Sequence, residues 1–115
     1  SWNIPYCHAI SGCHFCFSPN GAITTCIRCA GEKKYTIGTL EENNVKIDQE
    51  KLNLWKNRSP FIMEKCKKCK FILLCGGGCP LSSFSQYNDI NCPVCNDIEK
   101  TLEVYVKHMK DQFLK

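Results

Sequence analysis

The sequence has no long hydrophobic run, since its longest apolar stretch, Phe71-Ile72-Leu73-Leu74, is far shorter than a membrane span. Internal repeats and low-complexity tracts are also absent. No Ser-His-Asp set, phosphate-binding P-loop or carboxylate pair stands out as a catalytic motif. These absences argue against a membrane partner, a repeat protein and the common classes of catalysis. At 115 residues, the chain is expected to form one domain.

Apolar residues are also few once cysteine is set aside. Hydrophobic residues make up 43% of the chain, but this fraction includes 11 cysteines. The other apolar residues amount to about a third of the chain. A domain of this size buries only about two thirds of its unfolded surface. A small core combined with many thiols predicts that cross-links or bound metal stabilise the fold.

The cysteines are arranged for metal rather than for disulfide bonds. Their number is odd, and no signal peptide stands at the start, although a processed chain would lack one. Most of them form C-x2-C pairs, which are Cys13/Cys16, Cys26/Cys29, Cys66/Cys69 and Cys92/Cys95. This pairing is typical of tetrahedral thiolate sites. We therefore expect metal binding in a reducing, cytoplasmic compartment, because thiolates must stay reduced to bind.

The densest cluster of cysteines has the spacing C-x2-C-x5-C-x3-C. It consists of Cys66, Cys69, Cys75 and Cys79. Thiolates this close in sequence can converge on one inorganic centre. The three glycines at 76–78 would adopt positive φ and let the backbone pass close to a bulky group.

Positive charge surrounds this run, and the formal net charge of the chain is +4. A four-thiolate zinc or [4Fe–4S] site carries a charge of about −2, so two sites would bring the total to about 0. The lysines that bracket the first pair are Lys65, Lys67, Lys68 and Lys70. They either offset an anionic centre and raise its reduction potential or form a solvated basic loop. A nucleic-acid partner is not expected, because no aromatic residues alternate with these lysines.

Local signals in the N-terminal half predict strands followed by a helix. Pro19-Asn20-Gly21 is a turn signal inside a hairpin over residues 15–26, and a second short strand is expected at 35–40. Asp48 is suited to cap a helix over residues 49–57. The residues of this helix expected to face inward are Leu52, Leu54 and Trp55.

The C-terminal half is expected to be helical. Ser59-Pro60 repeats the cap signal, and residues 80–87 can form a short helix. A longer last helix is expected to open at Asn91-Cys92-Pro93, with Pro93 at its first helical position. Its apolar stripe, expected to face the core, consists of Val94, Ile98, Leu102, Tyr105, Met109 and Phe113.

Together these elements predict a small α+β domain that metal or clusters stabilise. An N-terminal β-hairpin and the first cysteine group would occupy residues 1–40. The dense run, short helices and the longer C-terminal helix would occupy residues 60–115. Trp2 and Trp55 are expected to be core residues.

The cysteine spacing as a whole resembles that of the SPASM domain. This domain is the C-terminal auxiliary-cluster module of radical S-adenosylmethionine (SAM) enzymes that modify peptides and proteins. In that family a cysteine precedes G-x4-C, and C-x2-C-x5-C-x3-C and a final cysteine follow. Here Cys7 and Cys13 precede Gly21-x4-Cys26, and the dense run ends in Cys75-Gly76-Gly77-Gly78-Cys79-Pro80. Residues 35–38 resemble the family's segment after the hairpin, so the resemblance covers essentially the whole chain.

The resemblance implies two [4Fe–4S] clusters with interleaved ligands. The first set would be Cys7, Cys13, Cys26 and Cys79. The second set would be Cys66, Cys69, Cys75 and one cysteine of the Cys92/Cys95 pair. Cys92 is preferred, because helix amides at the expected helix start would stabilise its thiolate, and Cys95 is the alternative. Cys79 would then tie the N-terminal hairpin to the C-terminal half.

Cys16 and Cys29 do not belong to the family's minimal pattern, and neither does the unused member of the last pair. They either extend or replace ligands or are ordinary buried thiols. Together with Cys13 and Cys26, the first two have a spacing that would also suit zinc. His8 and His14 flank ligand positions, and we expect them to be hydrogen-bonding or surface residues rather than ligands.

One further absence limits the expected function. The radical SAM core binds its own cluster through C-x3-C-x2-C, but here Cys75/Cys79 is followed by Ser82. The chain is therefore not expected to be catalytic alone. It would act with a radical SAM core domain, in cis or in trans, that binds S-adenosylmethionine and a peptide or protein substrate. Its clusters would relay electrons and position that substrate. The alternative is a zinc-binding interaction module for nucleic acid or protein.

Overall fold

The computed structural model describes residues 6–95 and 97–113, and it confirms a small α+β fold. A four-stranded antiparallel sheet has the strand order β1-β2-β3-β4. Short helices follow the sheet, and a 16-residue helix lies at the C-terminal end. Within the described ranges, no helix is long and apolar enough to cross a membrane.

The predicted N-terminal hairpin is confirmed. Strand β1 (Cys16–Phe17) pairs with β2 (Ala22–Thr24), and Cys16 lies opposite Thr24. Gly21 has a φ of 84° in the connection, a conformation that glycine adopts without a steric penalty. The Asn20 side chain accepts a hydrogen bond from the Ala22 amide, so the Pro-Asn-Gly signal closes the turn as expected.

The second strand is shifted and has a partner that the sequence did not indicate. Strand β3 (Gly38–Glu41) begins later than predicted, because residues Lys33–Tyr35 form a 3-10 turn that buries the Tyr35 side chain. Strand β4 (Asn44–Ile47) pairs with β3 through a two-residue turn in which both residues have positive φ. That turn geometry matches the twist of paired strands. Since β3 and β4 are largely exposed, neither shows a clear hydrophobic alternation.

Helix α1 (Gln49–Lys56) forms where Asp48 predicts it. The Asp48 carboxylate accepts hydrogen bonds from the amides of Glu50 and Lys51, as an N-cap residue does. Leu52 and Trp55 are buried as predicted, but Leu54 is 50% exposed, so that part of the prediction is wrong. Two residues along a helix correspond to about 200° of rotation, which places Leu54 opposite Leu52.

The hydrophobic core joins the sheet, helix α1 and helix α4 (Pro80–Tyr87). Its fully buried members include Ile23, Ile37 and Trp55. Trp55 stacks on Phe84 of α4 with ring centroids 6.2 Å apart. This confirms Trp55 as a core residue, whereas Trp2 lies outside the described residues. The core packs against two predicted ligands, Cys7 and Cys26.

Between α1 and α4 the chain forms short turns of helix. Ser59 accepts a hydrogen bond from the Phe61 amide and opens a 3-10 turn over Pro60–Ile62, which confirms the predicted cap. Helix α2 (Glu64–Lys67) and helix α3 (Ile72–Cys75) then carry cysteines of the dense run. Helix α4 has the bounds that the sequence predicts.

The last helix, α5 (Ile98–Phe113), differs from the prediction in its start and in its environment. It begins at Ile98 rather than at Pro93, since Asp97 accepts a hydrogen bond from the Lys100 amide and caps it there. Among its described residues none is buried, and Phe113 is 71% exposed. The prediction that its apolar stripe faces the core is therefore wrong. A 3.6-residue period identifies an apolar face but not the element that covers it.

Candidate metal centre

Four cysteines line one cavity of about 160 Å³. They are Cys66, Cys69, Cys75 and Cys95. Cys66 lies in α2, Cys75 ends α3, and Cys95 precedes α5. The side chains of Phe71, Ile72 and Ile98 complete an apolar wall around the thiols. The structure therefore gathers three cysteines of the dense run with one cysteine from the last C-x2-C pair.

Tight backbone turns bring these thiols together. The Cys66 amide donates to Met63 O at 3.0 Å, and the Cys69 amide donates to Cys66 O at 3.0 Å. The Cys75 amide donates to Phe71 O at 2.9 Å, which closes the short helix α3. These local reversals explain why the x2 and x5 spacings place their cysteines on one side of the chain.

Cys92 is half-buried and is not among the residues that line this cavity. The sequence-based preference for Cys92 depended on a helix start at Pro93. That start lies at Ile98, and residues 93–95 are irregular. The identity of the last ligand stays a prediction, but the geometry favours Cys95.

The electrostatics of Cys66 indicate that the thiols around the cavity interact. Cys66 is buried, and burial raises its pKa. The negative charges of Cys95, Cys75 and Cys69 raise it further. Cys66 therefore keeps its proton at neutral pH unless a cation binds beside it and stabilises the thiolate.

The described side chains are not arranged around a single metal ion. A tetrahedral zinc with Zn–S bonds of about 2.3 Å holds its sulfurs about 3.8 Å apart. Within residues 6–95 and 97–113, no three His, Cys, Asp or Glu side chains are close enough to hold one metal ion.

The other predicted set contains Cys7, Cys13, Cys26 and Cys79. Cys13 is exposed, whereas the other three are half-buried. Cys7 and Cys26 pack against the hydrophobic core, and Cys79 lies at the N-terminus of α4. As for the cavity set, no three of the described side chains in this set lie within reach of a single ion.

The surroundings of Cys79 nevertheless favour deprotonation of its thiol. Burial acts to raise its pKa, but hydrogen bonds from the backbone and side chain of Ser82 and from the Leu81 backbone outweigh it, so that the pKa is lowered. The Arg28 Nη1 atom also lies 4.0 Å from the Cys79 Sγ. The helix amides that the sequence analysis assigned to Cys92 are thus found at Cys79.

Arg58 is the functional candidate that the sequence did not reveal. The side chain is only 2% exposed. It donates hydrogen bonds to Ile90 O (2.8 Å), Gly76 O (3.3 Å), Gly77 O (3.0 Å) and Ser83 Oγ (3.2 Å). All of these acceptors are neutral, and no carboxylate in the described ranges forms an ion pair with Arg58. A buried guanidinium without a carboxylate needs another source of negative charge.

The cysteines would supply that negative charge once they are deprotonated. Burial lowers the pKa of Arg58, and the nearby thiolates oppose this effect. Those thiolates belong to Cys79, Cys66, Cys7 and Cys75. Two of them come from each predicted ligand set, and the glycine carbonyls that Arg58 binds lie between Cys75 of one set and Cys79 of the other. An isolated arginine before Ser59-Pro60 carries no sequence signal of this position.

The triple glycine surrounds the same arginine. Gly76, Gly77 and Gly78 all have positive φ, which confirms the prediction. A Cβ atom at Gly77 would lie 3.0 Å from Met63 Sδ and 3.4 Å from Arg58 Nη2. The close approach that the sequence predicts is therefore made, in part, to Arg58.

The remaining thiols have the properties of ordinary buried cysteines. Cys29 is 1% exposed, and burial, with the negative charge of Cys26, raises its pKa to about 11. Its Sγ lies 3.3 Å from Cys26 O as a hydrogen-bond donor. Cys16 is buried in β1. His14 Nδ1 lies 2.9 Å from Thr25 O, which fits a hydrogen-bonding role.

The bracketing lysines do not behave as a group. Lys65 lines the cavity, and a hydrogen bond with Cys95 is the main cause of its raised pKa. Lys67 instead pairs with Glu64 at 2.9 Å, and Lys70 pairs with Glu99 at 3.5 Å. The position of Lys65 therefore fits a lysine that offsets the charge of an anionic centre. Lys67 and Lys70 fit the other interpretation, in which the lysines are solvated.

Comparison with known proteins adds no relative. No family model matches the chain, and no curated protein matches it significantly. The resemblance to SPASM domains therefore stays a prediction that depends on the cysteine spacing.

Proposed function

We propose that this chain is an auxiliary iron–sulfur domain of a radical SAM enzyme that modifies peptides or proteins. The observation that carries this proposal is the cavity of about 160 Å³ lined by Cys66, Cys69, Cys75 and Cys95. Its four-thiolate donor set and apolar wall suit a [4Fe–4S] cluster. The buried, carboxylate-free Arg58 supports the presence of anionic centres close by.

Two clusters are proposed, each held by four cysteines. Cys66, Cys69, Cys75 and Cys95 would hold one of them. Cys7, Cys13, Cys26 and Cys79 would hold the other, with the lowered pKa of Cys79 favouring its thiolate. In this arrangement Cys79 connects the core-packed N-terminal cysteines to the C-terminal half.

When bound, such clusters supply one-electron transfer at low potential. The residues of this chain would control that chemistry in two ways. The apolar side chains of Phe71, Ile72 and Ile98 would give a bound cluster a partly apolar surrounding, with Cys66 buried and Cys69 and Cys95 exposed. Arg58 places a buried positive charge near cysteines of both ligand sets, and Arg28 places an exposed one beside Cys79. The proposed role is electron relay and substrate positioning, with a radical SAM core domain that binds S-adenosylmethionine as the partner.

Metal and sulfide content test this proposal. The chain would be reconstituted anaerobically with iron and sulfide, desalted and measured for both elements and for its visible spectrum. About eight iron and eight sulfide per chain, with broad absorption that dithionite bleaches, are expected. About two zinc without sulfide would instead favour the alternative, a zinc-binding interaction module. The four C-x2-C pairs are the feature that keeps this alternative open.

A further inference from the structure

Among residues 6–95 and 97–113, Arg58 is the one charged side chain that is buried. Its guanidinium donates hydrogen bonds to the carbonyls of Gly76 and Gly77 and to the carbonyl of Ile90. Gly76 and Gly77 lie inside the dense cysteine run, and Ile90 precedes the segment that leads to Cys95. The arginine therefore joins the parts of the backbone that carry the cavity thiols.

The charge of Arg58 is not compensated by its hydrogen bonds. Its acceptors are three carbonyl oxygens and the Ser83 hydroxyl, which carry no formal charge. Every ion pair found within residues 6–95 and 97–113 joins a lysine to a glutamate. A buried cation with only dipolar partners acts at longer range, because the low dielectric of the interior does not screen it.

We propose that Arg58 is a shared counter-cation that raises the reduction potentials of both cysteine-ligated centres. This inference rests on the proposed function, since it requires both centres to be present. Reduction adds one electron to a centre that is already anionic, so a buried positive charge favours the reduced form. The glycine carbonyls that Arg58 binds, Gly76 O and Gly77 O, lie between Cys75 of one ligand set and Cys79 of the other, and both potentials should therefore respond.

Arg28 offers a matched control, because it is the only other arginine in the chain. Its side chain is exposed, and its Nη1 atom lies 4.0 Å from Cys79 Sγ. Solvent screens an exposed charge much more strongly than a buried one. Arg28→Gln should therefore shift the potential of one centre only, and by less than Arg58→Gln shifts either.

The experiment is an anaerobic redox titration of the reconstituted chain, with dithionite as the reductant and electron paramagnetic resonance as the readout. In Arg58→Gln, the ratio of reduced to oxidised cluster at a fixed potential should fall about tenfold for both centres. For a one-electron couple this corresponds to about 59 mV. Arg58→Lys, which keeps the charge, should stay within a few-fold of the wild-type ratio.

A purely structural role for Arg58 predicts a different pattern. Arg58→Lys and Ser83→Ala both disturb the hydrogen bonds while keeping the cation, so they would then alter the potentials as Arg58→Gln does. That result, or an Arg58→Gln chain with unchanged potentials, would overturn the inference. If Arg58→Gln does not fold, the Arg58→Lys and Ser83→Ala titrations still decide between charge and structure.

Failure of the proposed function gives a separate signature. A wild-type chain that takes up no iron and sulfide would refute the two-cluster assignment, and this inference with it. A wild-type chain with about eight iron and unchanged potentials in Arg58→Gln would refute only the role of Arg58.

Discussion

The substitution Cys95→Ser is expected to remove one cluster and leave the fold intact. Cys95 lines the cavity with Cys66, Cys69 and Cys75, and serine keeps its size without the thiolate. Cys92→Ser is the matched control, since Cys92 belongs to the same C-x2-C pair but does not line the cavity. The pair of variants therefore separates cavity geometry from sequence spacing.

The structure sets the magnitudes. Cys95 is exposed, so its replacement should change the free energy of unfolding of the metal-free chain by no more than about 0.5 kcal/mol. The iron content of the reconstituted chain should fall from about eight to about four atoms, because one four-iron centre loses a ligand. Cys92→Ser should retain about eight.

The assay compares the three chains in parallel. Iron and sulfide are measured after the same anaerobic reconstitution, and urea unfolding of the metal-free chains checks that the fold is preserved. Loss of about four iron atoms from Cys92→Ser, with none lost from Cys95→Ser, would show that the last ligand is Cys92 and not the cavity residue Cys95. Equal losses from both variants would also refute the reasoning, because only one cysteine of the pair should be needed.

Three further predictions concern the fold of the metal-free chain. Trp55→Ala should lower the free energy of unfolding by about 3 to 5 kcal/mol in urea titrations, because Trp55 is buried. Leu54→Ala, at a 50% exposed position, should change it by less than about 1 kcal/mol. Similar losses in the two variants would contradict the burial of Trp55. Gly77→Ala should lower stability by at least roughly 1 kcal/mol, because φ is 84° and the new Cβ would press on Met63, and a neutral result in the same assay would count against that geometry. The pKa of Cys29 is about 11 in the fold against 9.0 for an unperturbed thiol, so its contribution to stability is complete below pH 9 and is lost as the pH rises through 11. That loss should reach roughly 2 to 3 kcal/mol and be absent from Cys29→Ala, and parallel stability–pH curves for the two chains would disprove it.

Elements with strong local signals were predictable from the sequence. The hairpin of β1 and β2 follows from Pro19-Asn20-Gly21, and helix α1 follows from the Asp48 cap. Both signals act within a few residues, so tertiary context does not override them. By contrast, β4 is held by its pairing with β3, and the exposed face of α5 depends on what packs against it. Neither property is local, and a single sequence carries little information about it.

The candidate site also contains features that the sequence predicts and features that only the structure shows. The spacing of Cys66, Cys69 and Cys75 predicted that they act together, and the structure places all three at one cavity. The presence of Cys95 there depends on how residues 90–95 pack against the glycines, with the Val94 amide donating to Gly77 O at 3.1 Å. The binding of Arg58 to the glycine carbonyls between Cys75 and Cys79 arises from tertiary packing, for which no motif exists.

The most direct test of the central claim is X-ray absorption at the iron and zinc edges of the anaerobically reconstituted chain. The account predicts iron with sulfur as its neighbour and a strong metal–metal contribution, as a polynuclear cluster gives. Zinc in four-sulfur sites, with no metal–metal contribution, would contradict it, because each metal would then be a single ion.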